Sequence, residues 1–436
     1  MNIVVMGLGL YARGSGISAA KFFILRGDNV LITDLKTREE LSHQIQELEK
    51  FCKVKKRSLP KYSLGGHKEK DFKKIDIVMR NPGVPRDSKF LKAARKNGAK
   101  IETDISIFLK NCDAEIIGVT GTRGKSTTAT LIHEMLKEGG KGAWLGGNIK
   151  VSPLSFIRRI KKDDTVVLEL SSWMLENFDE LGLAPHIAMV TNIFPDHLNT
   201  YKNMKEYISA KKNIFKNQTK DDYLVLNKDN KETRRWKGNG ETIYFRRKDV
   251  PLCKIKLQGE HNLENIAGAI AVAGIYKIPF SKLKKVLREF KGLPDRQELV
   301  AEKNGIKFIN DTTATTPDGA IAALKTFGVL RFKAHKYIIL IAGGNDKGLD
   351  YEDFVKEVKR YCKTVLLLPG TATDKIKKLF QASDIKFQEV KNMRRAIALA
   401  KLSATKGDIV LLSPAASSFG LFKNEFERGK RFKRAL

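Results

Sequence analysis

The chain has 436 residues, of which 42% are hydrophobic and 30% are charged. At roughly 150 residues per domain, this length predicts about three domains, each large enough to bury its own core. The composition excludes a disordered chain, and 34 glycines with 12 prolines are too few for a fibrous one. The unusual quantity is charge, because 81 basic and 49 acidic residues leave an excess of +32.

This positive charge is spread along the whole chain rather than gathered in one arm. It fits an anionic substrate, a nucleic-acid partner or a lysine-rich solvated surface, and the even spread favours the solvated surface. The four cysteines are far apart and form no CxxC pair, so we expect a reducing compartment and neither disulfides nor zinc. The chain has neither an apolar run of about 18 residues nor a signal-peptide pattern, which predicts a cytoplasmic protein that does not enter the membrane.

Short β-rich apolar runs alternate with helical patterns from end to end, which is typical of parallel α/β domains. Strands are predicted at 3–6, 29–33, 75–79, 115–119, 166–170, 187–191, 223–226, 306–309, 337–342, 364–368 and 408–412. We expect a Rossmann-like domain over 1–112, a central P-loop ATPase-type domain over 113–298, and a Rossmann-like C-terminal domain over 299–436.

The strongest local motif follows the strand at 115–119, where Gly118–Thr127 reads GVTGTRGKST. Glycines let backbone N–H groups curl around a phosphate, Lys125 can neutralise it, and the Ser126 hydroxyl can hold Mg²⁺. The spacing departs from Gly-x-x-x-x-Gly-Lys-[Ser/Thr], since Val119 stands where the first glycine belongs. Strand, loop and helix nevertheless fall where phosphate binding requires them, which predicts a phosphate-binding loop.

Three further side chains are candidates for chemistry. Glu169 ends an apolar strand and could bind the same Mg²⁺ as Ser126, although its carboxylate could equally be solvated. His197 follows Asp196 beyond the next strand; a lone histidine is more often structural, but the neighbouring carboxylate and the phosphate loop favour a role. Lys211 lies on the apolar stripe of a helix at 203–215, where periodicity alone favours a side chain that snorkels outward over an inward amine with a shifted pKa.

Two other regions carry polar or glycine-rich turns after strands. Gly7–Gly9 and Gly14–Gly16, with Asp34 ending the next strand, resemble a dinucleotide fingerprint of irregular spacing, which leaves NAD and a nucleotide-sugar equally open. In the third domain, polar turns at 310–317, 343–348 and 413–418 follow three strands. Three such turns at one sheet edge predict a carboxylate or phosphate pocket.

Taken together, these residues resemble the Mur ligase family, the ATP-dependent amino-acid-adding enzymes of peptidoglycan synthesis, and the resemblance covers nearly the whole chain. The matching segments are 120–127, 146–149, 168–172, 196–197, 210–211, 259–265, 292–296, 310–311 and 412–415. The resemblance implies a ligase that adds glutamate, with D-glutamate expected, to UDP-N-acetylmuramoyl-L-alanine through an acyl phosphate. It also implies a monomer that uses small-molecule substrates and no nucleic acid.

The resemblance further implies a role for each matching residue. ATP would be bound by Gly121, Thr122, Arg123, Gly124, Lys125, Ser126, Thr127, Asn265, Arg296 and Asp311. Mg²⁺ would be held by Ser126, Glu169, His197 and Lys211, the last of these carbamylated by CO₂, and the catalytic residues would be Lys125, His197 and Lys211. The UDP substrate would contact Gly9, Ser15, Gly16, Asp34, Lys36 and Asn148, and the amino acid would contact Thr315, Lys347, Ser418 and Phe419.

Some residues depart from the family pattern and keep alternatives open. Thr313 stands where family members that use D-glutamate often carry a lysine, and Arg123 stands where asparagine is usual. A sister ligase adding L-glutamate or another amino acid is therefore an alternative. In other classes, the chain could be a basic P-loop NTPase that binds nucleic acid or, on its first glycine loop alone, a nicotinamide oxidoreductase.

Overall fold

The computed structural model describes residues 1–196, 200–257, 259–328, 336–418 and 420–436. Predicted site residues His197 and Phe419 lie outside these ranges. The chain divides into two compact units, one made of Met1–Pro251 with Glu264–Val286 and the other of Leu252–Leu263 with Leu287–Leu436. In the described ranges, no helix is long and apolar enough to cross a membrane.

The first unit begins with a five-stranded parallel sheet. Its elements are β1 (Asn2–Met6), α1 (Ser15–Arg26), β2 (Asn29–Asp34), α2 (Ser42–Lys55), β3 (Lys61–Leu64), β4 (Ile77–Arg80), α3 (Lys89–Lys96), β5 (Lys100–Glu102) and α4 (Asp104–Lys110). The strand order is β3-β2-β1-β4-β5, and every pair is parallel. This is the order found in Rossmann-type sheets, in which ligands bind beyond the carboxyl ends of the strands.

A second, six-stranded sheet follows in the same unit. Its strands and helices are β6 (Glu115–Thr120), α5 (Lys125–Glu138), β7 (Ala143–Gly147), β8 (Thr165–Glu169), α6 (Ser172–Leu175), β9 (Ile187–Val190), α7 (Met204–Lys216), β10 (Tyr223–Asn227), β11 (Glu241–Phe245), α8 (Glu260–Ile275) and α9 (Phe280–Glu289). The division between the units falls within α8 and within α9. The order β11-β10-β9-β6-β8-β7 is parallel throughout. The central strand β6 therefore delivers its following loop to the carboxyl edge, between β8 and β9.

The second unit contains the third sheet. Its elements are β12 (Glu298–Lys303), β13 (Ile306–Asn310), α10 (Pro317–Gly328), β14 (Ile338–Gly343), α11 (Glu352–Tyr361), β15 (Cys362–Leu368), α12 (Thr371–Ala382), β16 (Phe387–Glu389), α13 (Met393–Ser403), β17 (Ile409–Leu412) and α14 (Glu425–Ala435). The order is β12-β13-β17-β14-β15-β16, with only β12–β13 antiparallel among these pairs. All six residues of β14 are buried, as expected for a strand covered on both faces.

These three sheets confirm the predicted α/β class and the Rossmann-like character of the first sheet. Each predicted strand is present, with ends that shift by one or two residues. The predicted boundaries near residues 112 and 298 stay a prediction.

Candidate active site

The loop between β6 and α5 closes tightly around Gly124, the residue before α5. Gly124 has φ of 80°, and a Cβ there would stand 2.0 Å from Asn265 Oδ1. Asn265 also accepts a hydrogen bond from Thr128 Oγ1 at 3.3 Å. Glycine is therefore required at position 124, and the predicted ATP residue Asn265 lies directly against the loop.

Two lysine side chains meet at one carbonyl of this loop. Lys125 Nζ donates to the oxygens of Gly121 at 3.0 Å and Thr122 at 2.9 Å. Lys211 Nζ donates to the same Gly121 oxygen at 2.8 Å. Lys125 and the N-terminus of α5 thus concentrate positive potential at the loop, an arrangement suited to a polyphosphate.

Lys211 points inward and is 2% exposed, so the snorkelling orientation favoured by periodicity alone is wrong. The same face of α7 buries Tyr207 and Ile214, and the Lys211 amine lies 4.9 Å from the centre of the Tyr207 ring. Burial lowers the pKa of Lys211 well below its usual value, and nearby Lys125 lowers it further, against the opposing effect of Asp196 and Glu169. The low pKa favours a neutral amine, which is the nucleophilic form.

Glu169 is a buried carboxylate with one oxygen left without a partner. Its Oε1 accepts a hydrogen bond from Asn148 Nδ2 at 3.0 Å, and its Oε2 is buried with no hydrogen bond. Strand register places Glu169 beside Val119, immediately before the phosphate loop. An orphaned buried carboxylate oxygen at this edge fits a hard cation, with Ser126 in the first turn of α5 as a second oxygen ligand.

The donor set near Glu169 suits Mg²⁺ rather than zinc. Among the described residues, no three His, Cys, Asp or Glu side chains cluster as a metal site. Mg²⁺ needs only one or two carboxylates, because it keeps several waters and takes phosphate oxygens from the nucleotide. The remaining predicted ligand, His197, lies outside the described residues.

Sequence reasoning missed the residues that shape the phosphate loop from the side of β9. Thr191 Oγ1 donates to the Arg123 oxygen at 2.6 Å, and the Arg123 amide donates to Asn192 Oδ1 at 2.9 Å. The hydroxyls of Thr122 and Tyr207 also lie 3.1 Å apart. A signal for the first pair existed, since Thr191 and Asn192 directly follow a buried strand at the same sheet edge.

The first glycine loop is organised by Asp34 rather than by lysines. Asp34 Oδ2 accepts the Leu8 amide at 2.8 Å, and Oδ1 accepts the Lys36 amide at 3.0 Å. At Gly16, in the first turn of α1, a Cβ would stand 2.2 Å from the Gly7 oxygen, so only glycine fits. The predicted UDP residues Gly9, Ser15, Gly16, Asp34 and Lys36 therefore surround one loop, whereas Asn148 lies beside Glu169.

The second unit gathers the predicted polar turns around a buried network. Asp311 Oδ2 accepts a hydrogen bond from Ser413 at 2.8 Å, and burial raises the pKa of Asp311 to about 7. Lys347 Nζ donates to Thr315 Oγ1 at 3.1 Å, which joins two of the predicted amino-acid residues. Ser418 is buried, and Arg296 is exposed.

Arg428 of α14 is a further residue of this network that sequence reasoning missed. Its guanidinium is fully buried and donates to Thr312 Oγ1 at 3.1 Å, the Thr312 oxygen at 2.8 Å and the Ala416 oxygen at 3.1 Å. It thereby ties the turn after β13 to the turn after β17. The available signal was its spacing of four from Phe432, the buried aromatic residue of an otherwise highly charged helix.

Comparison with known proteins agrees with this geometry. Three family models match the chain: the MurD-like N-terminal domain of Mur ligases over 1–103, the Mur ligase middle domain over 119–245, and the glutamate ligase domain of Mur ligases over 295–416. The UDP-N-acetylmuramoylalanine–D-glutamate ligase of Roseiflexus sp. (strain RS-1) is 37% identical, with 99% of this chain and 97% of that protein covered. The enzyme of the same name from Acetivibrio thermocellus is 39% identical, covering 86% and 85%.

Solved structures show the same fold at lower identity. The UDP-N-acetylmuramate-alanine ligase of Thermotoga maritima has a TM-score of 0.65 at 20% identity, covering 100% of this chain and 98% of that one. The MurF ligase of Thermotoga maritima, solved in complex with ADP, has a TM-score of 0.56 at 16% identity, covering 93% and 95%. With the family models and the full-length relatives above, these findings establish that the chain belongs to the Mur ligase family.

Proposed function

We propose that this chain is an ATP-dependent ligase that joins D-glutamate to UDP-N-acetylmuramoyl-L-alanine in peptidoglycan synthesis. The observation that carries the proposal is the convergence of Lys125 and Lys211 on the Gly121 carbonyl, near the unpartnered oxygen of Glu169. Full-length relatives named for this reaction support the choice of substrates.

The reaction needs activation because a carboxylate is a poor electrophile. The carboxylate oxygen of the UDP-linked alanine attacks the γ-phosphorus of ATP, which forms an acyl phosphate and releases ADP. The amine of glutamate then attacks the acyl carbon, the amide bond forms, and inorganic phosphate leaves with the C–O bond electrons while the amine loses a proton. Lys125 and the N-terminus of α5 stabilise the negative charge that moves during phosphoryl transfer.

Glu169 and Ser126 would hold Mg²⁺ on the nucleotide phosphates, with His197 at a second ion. Bound Mg²⁺ neutralises phosphate charge and polarises the transferred group. Asn148 keeps the Glu169 carboxylate oriented through its hydrogen bond to Oε1. The remaining predicted ATP contacts, Asn265, Arg296 and Asp311, belong to this proposal as nucleoside-binding residues.

We further propose that Lys211 is carbamylated. A neutral lysine amine attacks CO₂, a C–N bond forms, and loss of one proton gives a carbamate anion. The low pKa of the buried amine supplies the neutral nucleophile, and the neighbouring Lys125 offers the product a cationic partner. This change converts a second lysine at the loop into an oxygen ligand suited to Mg²⁺.

The substrate ends are assigned to the two other loops. The loop around Asp34, with Gly9, Ser15, Gly16 and Lys36, receives the UDP end. In the second unit, Thr315, Lys347, Ser418 and Phe419 receive the amino acid. The Thr313 hydroxyl donates to the Asp295 carbonyl oxygen at 3.0 Å, and threonine carries no charge. At these turns, Lys347 beside Thr315 supplies the cation for the glutamate carboxylate. The enzyme acts in the cytoplasm as a monomer, on small molecules and without nucleic acid.

Mass analysis of the product tests this function. The chain is incubated with ATP, Mg²⁺ and UDP-N-acetylmuramoyl-L-alanine, and D-glutamate, L-glutamate or other amino acids are supplied separately. We expect the D-glutamyl product only, with phosphate release that needs both UDP substrate and amino acid. Phosphate release driven by DNA or RNA would instead support the NTPase alternative, and product from L-glutamate would support the sister ligase.

Lys125→Ala tests whether the phosphate loop takes part in the reaction, as distinct from a general effect of removing one positive charge from the protein. We expect ligation to fall by about 10³-fold, because a positioned cation at a developing charge is lost. Lys137→Ala, at an exposed position near the end of the same helix, is the matched control and keeps full turnover. Full turnover in Lys125→Ala would remove the assignment of this loop.

A further inference from the structure

A cleft in the first unit lies apart from every residue assigned above. It has a volume of about 770 Å³ and is bordered by α1, α2 and the segment 154–159, which includes the short helix Ile157–Arg159. Small-molecule sites in proteins commonly measure about 300–1,000 Å³. The cleft is therefore large enough for one ligand of ordinary drug or metabolite size.

The inner wall of this cleft is apolar. It is formed by aromatic and aliphatic side chains from both helices and from the segment 154–159: Phe22, Leu25, Phe51, Leu154, Phe156 and Ile157. Leu154 and Phe156 are buried, whereas Phe22, Leu25 and Phe51 are partly exposed. Such a wall binds a flat or branched hydrocarbon body and gains free energy from the apolar area removed from water.

The rim of the cleft carries surplus positive charge. Two of its cations are paired, Lys21 with Glu47 and Arg26 with Asp28, each at 2.5 Å. The other three, Arg13, Arg158 and Arg159, are exposed, and no ion pair involves them in the described part of the chain. Arginine presents a planar fork of donors that matches a carboxylate, phosphate or sulfonate.

We propose that this cleft binds a small amphipathic anion, a soluble molecule with an aromatic or aliphatic body and one acidic head group. The body occupies the apolar wall, and the head group is held by the arginines at the rim. The Arg159 guanidinium also lies 5.0 Å from the centre of the Trp144 ring, which holds it at the rim. A neutral ligand would make no ion pair with these arginines, and a small inorganic anion would leave the apolar wall exposed to water.

The cleft is physically connected to the first glycine loop through Arg13. The Arg13 guanidinium donates to Ser155 Oγ from Nε at 3.4 Å and Nη2 at 3.3 Å, and its carbonyl accepts the Ser152 amide at 2.8 Å. A bound anion competes with the neutral Ser155 hydroxyl for this guanidinium. Because Arg13 precedes Ser15 and Gly16, and given the proposed function of that loop, occupancy of the cleft is coupled to binding of the UDP substrate.

Fluorescence titration tests the binding step. The probes are anilinonaphthalene sulfonate, which is an amphipathic anion, and phenylnaphthylamine, its uncharged counterpart. In the double variant Arg158→Glu/Arg159→Glu we expect sulfonate affinity to fall by at least about tenfold, and affinity for the neutral dye to change by less than about twofold. The matched control is Arg394→Glu/Arg395→Glu, an exposed adjacent pair on α13 that does not line the cleft, which should leave both affinities unchanged.

A second variant locates the apolar body. Leu25→Asp places a charge on the wall and should weaken both dyes, while the thermal unfolding midpoint verifies that each variant is folded. Unchanged sulfonate affinity in the arginine variant, or an equal loss in the Arg394/Arg395 control, would overturn the proposal.

The coupling step is measured through the KM for the UDP substrate. Saturating sulfonate should change this KM by at least about threefold in the unaltered enzyme and not in the Arg158/Arg159 variant. An unchanged KM in the unaltered enzyme would refute the coupling. Because the dye titration needs no catalytic activity, failure of the proposed function would leave the binding result readable on its own.

Discussion

Lys211 and Arg428 are long basic side chains that are almost fully buried, and their surroundings differ. Among the described residues, Lys211 of the first unit donates to one acceptor, the Gly121 carbonyl oxygen, and a second lysine, Lys125, lies nearby. Arg428, in the second unit, has three acceptors on two turns. Burial lowers the pKa of both, but Arg428 falls only to about 10 and stays charged at neutral pH.

This difference separates a reactive buried amine, Lys211, from a structural buried cation, Arg428. A buried charge whose donors are satisfied holds its surroundings in place, and removing it leaves the carbonyls it served without partners. A buried amine beside another cation is instead driven towards its neutral form, which can react. Burial alone therefore does not identify a functional lysine or arginine; the number and charge of its neighbours do.

The largest expected effect comes from removing the reactive amine of Lys211. Lys211→Ala should lower ligation by about 10³-fold, the order lost when a group that stabilises developing charge is removed. Added formate or acetate should restore part of the activity by supplying the missing carboxylate. Initial rates with and without these anions give the result, with Lys212→Ala on the same helix as the control, and full activity of Lys211→Ala without them would refute the carbamate.

The next effect is on stability in the second unit. Arg428→Met leaves the Thr312 and Ala416 carbonyls buried without donors, so we expect a loss of about 3–5 kcal/mol in the free energy of unfolding. Arg431→Met, an exposed position on the same helix paired with Glu427, should cost less than about 1 kcal/mol. Urea unfolding of the full chain measures both, and similar losses in the two variants would contradict a structural role specific to Arg428.

A smaller, pH-dependent effect is expected at Asp311, whose pKa burial raises to about 7. Above pH of about 4 the unfolded chain has this carboxylate ionised, whereas the folded chain keeps it protonated up to about pH 7. The folded state thus binds more protons, and stability from this group falls as pH rises through that window.

Asp311→Asn removes that dependence. Relative to the unaltered chain, the variant should gain stability as pH rises from about 5 to 7, by roughly 1–3 kcal/mol, and the difference should level off above pH 7. Urea unfolding at several pH values gives the curve. A difference that stays constant across the window would show that Asp311 titrates as an ordinary carboxylate.

The sequence predicted the central strands well because their apolar runs are buried on both faces, as in β6 and β14. It did not predict β3, β5, β7, β11, β12 or β16. All six lie at sheet edges and carry polar residues or glycine, so they lack a strong apolar pattern. β12, for example, has no buried residue.

In the candidate site, too, features with a strong local sequence pattern were predictable and the others were not. The phosphate loop and Glu169 were predictable because a local motif and a strand end carry them. The inward direction of Lys211 and the role of Arg428 were not, because each depends on contacts between residues distant in sequence: Lys211 with Gly121, and Arg428 with Thr312.

The shared carbonyl of Gly121 also has a consequence for selectivity among anions. Lys125 donates to the carbonyl oxygens of both Gly121 and Thr122, so an anion that takes a donor from either oxygen exchanges one hydrogen bond for another. A single phosphate or sulfate offers few contacts to offset this exchange, whereas a triphosphate reaches several loop amides at once. Exchange with the loop's own carbonyl oxygens therefore favours a long polyanion over the small anions abundant in a cell.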